Sequence, residues 1–388
     1  MAADTVPLGP YTYEPLDPGS VIRLLRLRKE GDQIRYDLCT CSLLDPPQYA
    51  ALSYTWGAPT PTFAHTLNGN KRITVRENLH KFLEHYREEG YLWIDQICID
   101  QSNVSERNHQ VSLMKEIYCK ASFVNVWLQN EYRNPKFMLN PSSGEQAVGE
   151  EIVKIFRDKY WTRLWITQEF LLAERLQIMF QGDAIPWEEL CTEVRAYNDI
   201  SSRVAFFVFS SRSPAPFTLK TCIGLFSGAG CQDPRDKVYG LMGVVVEDER
   251  LSIDYSKSKH EVFADVVAAF WSAYAKEIAQ STGKLSKSRF AALRANYTQT
   301  LHMLREEMDF YKNEGEALQG LIDEIWSLYN LGESFQEREE SSSLLTAVGY
   351  EPGQQQDLDS DARSQDVATS SARWWYESTG QRRYFECS

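Results

Sequence analysis

The chain has 388 residues, a length typical of two domains or of one large domain with an appendage. Its formal net charge is −13 at pH 7 and no block of lysine and arginine stands out, which argues against binding to nucleic acid. No apolar run approaches the roughly 18 residues of a membrane span, and the N-terminal stretch lacks the basic and apolar regions of a secretory signal.

The chain begins with a Pro- and Gly-punctuated lead-in and a predicted β-hairpin. Apolar and polar residues alternate over Val21–Arg28 and again over Ile34–Thr40, and the KEGDQ sequence between them supplies a turn. Tyr49–Trp56 follows as a third apolar strand, which ends abruptly at Gly57 and two prolines. We therefore assign residues 1–48 to the lead-in and hairpin.

Strands and helices then alternate. A short strand at Arg72–Val75 precedes a helix over 79–86, whose apolar residues recur at helical spacing. The apolar run Tyr91–Ile94 predicts a buried strand, and an amphipathic helix over 104–121 leads to a further strand at Phe123–Leu128. Short joins of this kind predict a parallel sheet flanked by helices.

The next segment combines a polar loop with a long predicted helix. After the loop at 129–149, the apolar spacing predicts continuous helix from about Glu150 to Leu172. A strand at Leu176–Phe180 and a helix that opens at Pro186 follow.

A Ser-rich polar stretch at 200–216 marks a predicted domain boundary. We assign residues 49–199 to the α/β domain and residues 200–335 to a helical region, which includes a capped helix at about Ser258–Ala279. Residues 336–388 form an acidic tail with an aromatic end, and its composition predicts disorder.

A polar cluster directly follows the central strand. Residues 95–101 interleave two carboxylates and two amides with apolar side chains. In an open α/β sheet, ligands bind at the carboxyl ends of strands, and buried polar groups need partners. One interpretation is therefore a binding site. The other is a helix-entry segment, in which Asp100 or Asn103 caps the helix that follows.

Common catalytic and cofactor motifs are absent from the sequence. It contains no GxSxG elbow, no GxxxxGK[ST] loop and no HExxH, and His80 and His85 are poorly spaced to share a metal ion. We therefore expect no metal site and no resident cofactor.

The 8 cysteines form no CxxC pair and no regular framework, which indicates free thiols in a reducing cytoplasm. Cys98 lies near a predicted helix start, where a thiolate nucleophile would be stabilised. Its apolar neighbours Ile97 and Ile99 favour an inert, packed thiol instead. The cysteine usage thus predicts a cytoplasmic protein.

Glu169 is the carboxylate that the spacing singles out. It lies four residues after Trp165, so both would share a helical face that is otherwise apolar. A carboxylate among indole rings is costly to bury unless it is paired or used. Glu169 is therefore either a functional carboxylate, or the partner of Arg163 or Arg175 in a salt bridge, or a residue at the edge of the face in solvent.

Three blocks of sequence resemble the fungal heterokaryon-incompatibility (HET) domain. They are YAALSYTWG at 49–57, LWIDQICIDQ with the following helix at 92–118, and RLWITQE at 163–169, in the order typical of that family. The segment DPRDKVYGLMGV at 233–244 resembles the region that usually trails the domain. The resemblance implies a cytoplasmic protein of non-self recognition that, with an incompatibility partner protein, triggers growth arrest or cell death.

The HET domain is in turn similar to TIR domains, which implies a flavodoxin-like, doubly wound and mostly parallel sheet. In enzymatic TIR domains, a Glu four residues after a Trp supports cleavage of the nicotinamide–ribose bond of NAD, and Trp165 and Glu169 keep that spacing. The resemblance makes Glu169 the candidate catalytic residue. NAD or a related nucleotide would be a substrate rather than a cofactor, and self-association of the TIR-like domain would activate the protein.

Six further residues are candidates for substrate binding on the same resemblance. Tyr54 and Trp56 would stack on nicotinamide or adenine, or simply pack in the core, and Asp95 would bind a ribose hydroxyl. The full set is Ser53, Tyr54, Trp56, Gly57, Asp95 and Trp165.

The sequence departs from the family pattern at two places. Trp127-Leu128 is followed by Gln129 where the family has Gly, so the turn there is expected to differ. The last residues, RRYFECS, resemble the opening of a β-rich region in longer members, so a short form or a truncated product is expected.

Two classes of function remain open at this stage. An NAD glycohydrolase predicts that Glu169, Trp165 and the strand ends at 54–57 and 95 surround one cleft. A non-catalytic TIR-like module, which acts by protein contacts, predicts that Glu169 is engaged in an ion pair.

Overall fold

The computed structural model describes residues 9–128, 153–180, 183–194, 207, 217–280, 287–310 and 320. These residues divide into two compact units. The first comprises the described residues up to 194, residue 207 and residues 252–256, and the second comprises the described parts of 217–251 and 257–320. The predicted tail at 336–388 and the predicted loop at 129–149 lie outside the described residues.

The first unit is built on one sheet, in which ten strands are described. They are β1 (Gly9–Pro10), β2 (Val21–Glu30), β3 (Gln33–Ser42), β4 (Ala50–Tyr54), β5 (Thr62–Leu67), β6 (Lys71–Arg76), β7 (Gly90–Trp93), β8 (Phe123–Trp127), β9 (Leu176–Phe180) and β10 (Asp183–Pro186). Their spatial order is β1-β6-β5-β3-β2-β7-β4-β8-β9-β10.

The centre of the sheet is parallel. β4 pairs in parallel with both β7 and β8, and β8 pairs in parallel with β9. Four of the five residues of β4 are buried, as expected for a strand that is covered on both faces. The order β7-β4-β8-β9 places the first strand of this group between the second and the third, so the predicted doubly wound α/β class is confirmed.

The predicted N-terminal hairpin is confirmed and extends the same sheet. β2 and β3 pair in antiparallel register from Val21 opposite Ser42 to Glu30 opposite Gln33, and β2 also pairs with β7. Arg23 on β2 is 2% exposed and its guanidinium reaches both carboxylate oxygens of Glu106, over 2.5 and 3.0 Å. This buried ion pair links the hairpin to the helix that carries Glu106.

The helices of the first unit fill the intervals between strands. They are α1 (Glu77–His85), α2 (Asp95–Cys98), α3 (Val104–Lys120), α4 (Ile166–Leu171) and α5 (Trp187–Val194). The side chain of Asn103 caps α3, since it accepts a hydrogen bond from the amide of Glu106 at 3.1 Å. One of the two residues proposed as a cap thus fills that role, and the segment just before it forms the single-turn helix α2.

The prediction of continuous helix from 150 to 172 is wrong. Residues 153–156 are helical, but Lys159–Thr162 form a 3₁₀ turn and α4 begins only at Ile166. Asp158 starts the new turn, because its carboxylate accepts a hydrogen bond from the amide of Tyr160 at 2.8 Å. The apolar spacing reflects core packing rather than helical continuity.

An aromatic cluster explains that packing. The ring of Trp161 lies 5.7 Å from that of Trp187, and the ring of Phe170 lies 4.7 Å from Trp187 and 4.9 Å from Phe207. All four side chains are nearly fully buried. Aromatic pairs in edge and tilted contacts stabilise a core beyond their area burial, and the break in the helix is compatible with this packing.

The second unit is helical in its described part. It contains α6 (Leu219–Phe226), α7 (Asp236–Tyr239), α8 (Lys259–Gln280) and α9 (Lys287–Glu307). The predicted cap of α8 is present, because the amide and hydroxyl of Ser258 both donate to the carboxylate of Glu261 at 2.7 Å. None of the described helices is long and apolar enough to cross a membrane.

Lys237, from the DPRDKVYGLMGV segment, has a structural role in this unit. Its ammonium group donates to the carbonyls of Ser227 and Ala229 and to the carboxylate of Glu307, over 2.7, 2.8 and 2.8 Å. A nearly buried ammonium with three acceptors is fully satisfied. This residue therefore ties the turn after α6 to the end of α9.

Candidate functional site

The candidate site lies at the carboxyl edge of the parallel part of the sheet. Ser53 and Tyr54 end β4, and Asp95 comes two residues after the end of β7. Strand order reverses around β4, which has β7 on one side and β8 on the other. In doubly wound sheets, ligands bind at such a reversal, outside the carboxyl ends of the strands.

The carboxylate of Glu169 is enclosed by hydrogen-bond donors, and the residue is only 2% exposed. The hydroxyl of Ser53 donates to one carboxylate oxygen, and the guanidinium of Arg163 donates to both, over 3.3 and 3.4 Å. The phenolic oxygen of Tyr160 lies 2.6 Å from the hydroxyl oxygen of Ser53 and extends the network. Because a buried carboxylate is stable only when its oxygens are paired, these contacts explain how Glu169 tolerates burial.

Short local elements bring Arg163 to Glu169. Arg163 ends the 3₁₀ turn with an extended backbone at φ −74° and ψ 139°, and α4 begins three residues later. The amide of Glu169 donates to the carbonyl of Trp165 at 3.3 Å, which sets the first turn of α4. Residues six apart on one continuous helix would face different directions. The break in the helix is therefore what allows this ion pair.

The negative charges of two carboxylates affect the pKa of Arg163. Burial lowers the pKa of its guanidinium, but the negative charges of Glu169 and Asp95 oppose burial, and the net pKa is raised. Arg175, the other salt-bridge partner considered for Glu169, instead donates to the carbonyl of Ser122 at 3.1 Å. Of the two arginines, Arg163 is thus the one that pairs with Glu169.

Asp95 is held by two donors at the start of α2. The indole nitrogen of Trp56 donates to one of its carboxylate oxygens and the amide of Gln96 donates to the other, each over 2.7 Å. Burial, and then the negative charge of Glu169, raises the pKa of Asp95 from 3.8 to about 6, although Arg163 acts in the opposite direction. The coupling of the two carboxylates means that they share one electrostatic environment.

Tyr54, the last residue of β4, is 1% exposed. Its hydroxyl is near the carboxylate of Asp95 but makes no hydrogen bond of ordinary geometry with any residue that the structure describes. Burial, and then the charge of Asp95, raises the pKa of Tyr54 well above its ordinary value of 10.0. The hydroxyl is therefore a neutral group beside two carboxylates.

Trp56 and Gly57 form the turn after β4. The guanidinium of Arg76 lies 4.9 Å from the ring centre of Trp56, and a nitrogen of the same group donates to the carbonyl of Gly57 at 3.0 Å. Gly57 has φ +73°, which a residue with a side chain rarely adopts. This backbone conformation turns the chain so that Trp56 reaches Asp95.

The geometry unites most of the predicted site residues. Ser53 and Asp95 are joined to Glu169 by a hydrogen bond and by charge, Tyr54 lies beside them, and Trp56 binds Asp95. Trp165 is half-buried and contributes its carbonyl at the start of α4. Gly57 acts through the turn that it permits.

Tyr160 is the residue that sequence reasoning missed. Its hydroxyl lies 2.6 Å from that of Ser53, and burial raises the pKa of Tyr160 well above its ordinary value. The apolar spacing of the KYWTRLW segment predicts helix only and does not single out this residue. The feature that could have identified Tyr160 is its hydroxyl, since a buried tyrosine hydroxyl needs a polar partner.

A groove of about 420 Å³ lies beside the loop that follows Asp95. Gln96 and residues 99–102 line one part of it, and Tyr11 and Tyr13 of the N-terminal lead-in line another. The hydroxyl of Tyr13 donates to the carbonyl of Ile97 at 2.8 Å. The lead-in thereby contacts α2, the single-turn helix that begins at Asp95.

The described residues contain no group of three or more His, Cys, Asp and Glu side chains placed to hold a metal ion. The thiol of Cys98 is buried, and burial raises its pKa to about 12. A thiol with so high a pKa is a poor nucleophile near neutral pH.

Comparison with known proteins finds a family match over the part of the chain that holds this site. Residues 49–169 match the family model described as heterokaryon incompatibility protein (HET), a range that contains Ser53, Asp95, Arg163 and Glu169. The chain is also 31% identical over 204 residues to "Heterokaryon incompatibility protein 6, OR allele" of Neurospora crassa. That match covers 47% of this chain and 29% of the relative, so the chain spans less than a third of the relative's length. No solved structure gave a significant match.

Proposed function

We propose that this chain, which carries a HET domain over residues 49–169, is a cytoplasmic incompatibility effector that hydrolyses NAD. Glu169 is the catalytic carboxylate, and the bond that breaks joins nicotinamide to ribose. The observation that carries the proposal is the pair of coupled carboxylates, Glu169 and Asp95, at the carboxyl edge of parallel strands where the strand order reverses. The growth arrest or cell death associated with incompatibility would then follow from loss of NAD.

The reaction suits a buried carboxylate. When the bond between the nicotinamide nitrogen and C1′ of the ribose breaks, its electron pair leaves with nicotinamide and C1′ becomes part of an oxocarbenium-like cation. A carboxylate near the ribose stabilises that cation, as in glycosidases. Water then adds to C1′ and releases one proton, so the products are nicotinamide and ADP-ribose.

The neighbouring residues supply binding contacts. Asp95 accepts a hydrogen bond from a ribose hydroxyl, and Trp56, which is half-buried, offers a ring for stacking on nicotinamide or adenine. Tyr54 is 1% exposed, so its ring stays in the core in this conformation while its hydroxyl remains next to Asp95. Ser53 orients the carboxylate of Glu169.

In this conformation the site is closed. Glu169 is 2% exposed and its carboxylate is engaged by Ser53 and Arg163. We propose that self-association of the TIR-like domain, or contact with an incompatibility partner protein, opens the site. Activity that depends on assembly would keep a toxic reaction silent in a compatible cell.

The same closed geometry favours a second candidate function. A HET domain that acts only by protein contacts would need Glu169 for structure, and the ion pair between Arg163 and Glu169 is the arrangement that such a module requires. Fold alone does not decide between the two functions. Turnover must be measured.

The experiment compares NAD turnover by the purified chain and by its Glu169→Gln variant, alone and after forced assembly on a fused oligomerising partner. Gln keeps the shape of Glu and removes its charge. Glu174→Gln is the matched control, because Glu174 lies on the same segment but is exposed. We expect nicotinamide release by the assembled wild type and by the Glu174 variant, and none by Glu169→Gln.

The alternative outcome is equally informative. If none of the three proteins releases nicotinamide after assembly, while Glu169→Gln still arrests growth in cells, the hydrolase is excluded. A module that acts by contacts would then be the function of this chain.

A further inference from the structure

Arg163 neutralises the carboxylate on which the proposed reaction depends. Its two guanidinium nitrogens lie 3.3 and 3.4 Å from the two oxygens of Glu169. A carboxylate stabilises a developing cation through its negative charge, and a guanidinium at this distance cancels most of that charge. Arg163 must therefore leave Glu169 before Glu169 can act.

The contact is one that can be exchanged. Charge-assisted hydrogen bonds between nitrogen and oxygen normally span about 2.7–2.9 Å, so the Arg163–Glu169 contacts are long for their type. The side chain of Arg163 is 18% exposed, whereas that of Glu169 is 3% exposed, so an incoming ligand reaches the guanidinium first. The hydroxyl of Ser53 remains on Glu169 after Arg163 leaves, so the carboxylate keeps a donor.

Arg163 remains cationic throughout such an exchange. The negative charges of Glu169 and Asp95 raise its pKa despite burial. A guanidinium has a planar fork of donors that matches phosphate oxygens as well as carboxylate oxygens, and it binds either in a bidentate manner. A diphosphate carries more negative charge than one carboxylate, so it can compete with Glu169 for Arg163.

We infer that Arg163 binds the diphosphate of a dinucleotide substrate and that this contact releases Glu169 for catalysis. The inference rests on the proposed function and deepens it. The bound substrate itself would then complete the active site. Its diphosphate would be required for turnover and would also contribute to binding affinity. Nicotinamide mononucleotide, with one phosphate, and nicotinamide riboside, with none, would be progressively poorer substrates than NAD.

The test measures binding, so it does not depend on turnover. ADP-ribose contains the diphosphate but lacks the bond that is cleaved. Its dissociation constant is measured by calorimetry for the full chain and its variants, alone and after the same forced assembly. In Arg163→Gln the diphosphate contact is lost, and we expect affinity to fall at least about tenfold. In Arg163→Lys a charge remains without the fork, and we expect an intermediate loss.

The distinguishing variant is Glu169→Gln. A neutral side chain no longer competes for Arg163, so ADP-ribose should bind several-fold more tightly than it does to the wild type. A residue with only a structural role would not produce this gain. Glu174→Gln, at an exposed position, should bind as the wild type does. Adenosine, which has no phosphate, should bind equally to the wild type and to Arg163→Gln.

Two results would overturn the inference in different ways. Equal affinity of wild type, Arg163→Gln and Glu169→Gln for ADP-ribose would remove Arg163 from substrate binding and leave the hydrolase proposal untouched. Absence of ADP-ribose binding and of NAD turnover in every protein, assembled or not, would remove both. If Arg163→Gln fails to fold, the Glu169→Gln comparison decides alone.

Discussion

The hydroxyl of Ser53 donates a hydrogen bond to the carboxylate of Glu169, although the two residues lie 116 positions apart in the chain. One ends a parallel strand and the other lies in a short helix, and both are almost completely buried. The contact joins the first and last parts of the range that matches the HET family model. This hydrogen bond can therefore form only when the two segments are correctly packed against each other.

Ser53→Ala should destabilise the first unit by about 1–3 kcal/mol, because it removes a donor from a buried carboxylate. The measurement is urea unfolding followed by tryptophan fluorescence, with the midpoint and slope compared between proteins. Ser227→Ala is the control. Ser227 is equally buried, but its hydroxyl has no partner among the residues that the structure describes, so its loss should cost little. Equal shifts in both variants would mean that the contact with Glu169 contributes nothing.

The buried pair of Arg23 and Glu106 should show strong coupling. Arg23→Met leaves the carboxylate of Glu106 without its charge partner at 8% exposure, and we expect a loss of about 3–5 kcal/mol in the free energy of unfolding. The double variant with Glu106→Leu should recover part of that loss, because no unpaired charge remains. A double-mutant cycle by urea unfolding gives the coupling energy. Strictly additive losses would contradict the assignment.

Asp95 should make stability depend on pH. Its folded-state pKa of about 6 lies above the ordinary value of 3.8, so the folded chain binds this proton more tightly than the unfolded chain does. The stabilisation is present in full below about pH 4 and is lost as the pH rises through about 6. Its size is at most about 3 kcal/mol.

The measurement compares the wild type with Asp95→Asn between pH 4 and pH 7. The free energy of unfolding of the wild type should fall with pH relative to that of the variant and level off above about pH 6. A constant offset would reflect only the hydrogen bond that Asn cannot accept from Trp56 or Gln96. Parallel curves would thus rule out a raised pKa for Asp95.

Gly57→Ala should cost about 1–2 kcal/mol, because an L-residue is strained at the positive φ of this position. A steric clash is not the cause of this loss, since a Cβ at Gly57 would meet only the Cβ of Asn78, at 3.8 Å. Gly19→Ala is the matched control, because Gly19 is exposed and nothing lies within 4 Å of its added Cβ. In thermal unfolding, the melting temperature of Gly57→Ala should be lower than that of Gly19→Ala. Equal melting temperatures would argue against strain at Gly57.

The amino-acid sequence determined the local elements of this protein and the identity of its polar candidates. Alternation over β2 and β3, and the apolar runs of β4 and β7, follow from side chains within a few positions of each other, so local spacing is sufficient to predict them. The blocks at 49–57, 92–118 and 163–169 also indicated, from residue identity alone, the family whose model matches residues 49–169. The carboxylates of Asp95 and Glu169 stood out because polar groups in apolar surroundings require an explanation.

Only the tertiary structure decided how those candidates meet. The apolar residues of the segment from 150 to 172 have helical spacing. The helix nevertheless ends before Asp158, so that Trp161 can pack against Trp187 and Phe170. That break, which depends on contacts distant in sequence, places the guanidinium of Arg163 on Glu169. Periodicity reports which faces are buried, whereas ion pairs and hydrogen bonds depend on distances between elements. The contacts of Glu169 with Ser53 and Arg163 therefore became known only from the folded chain.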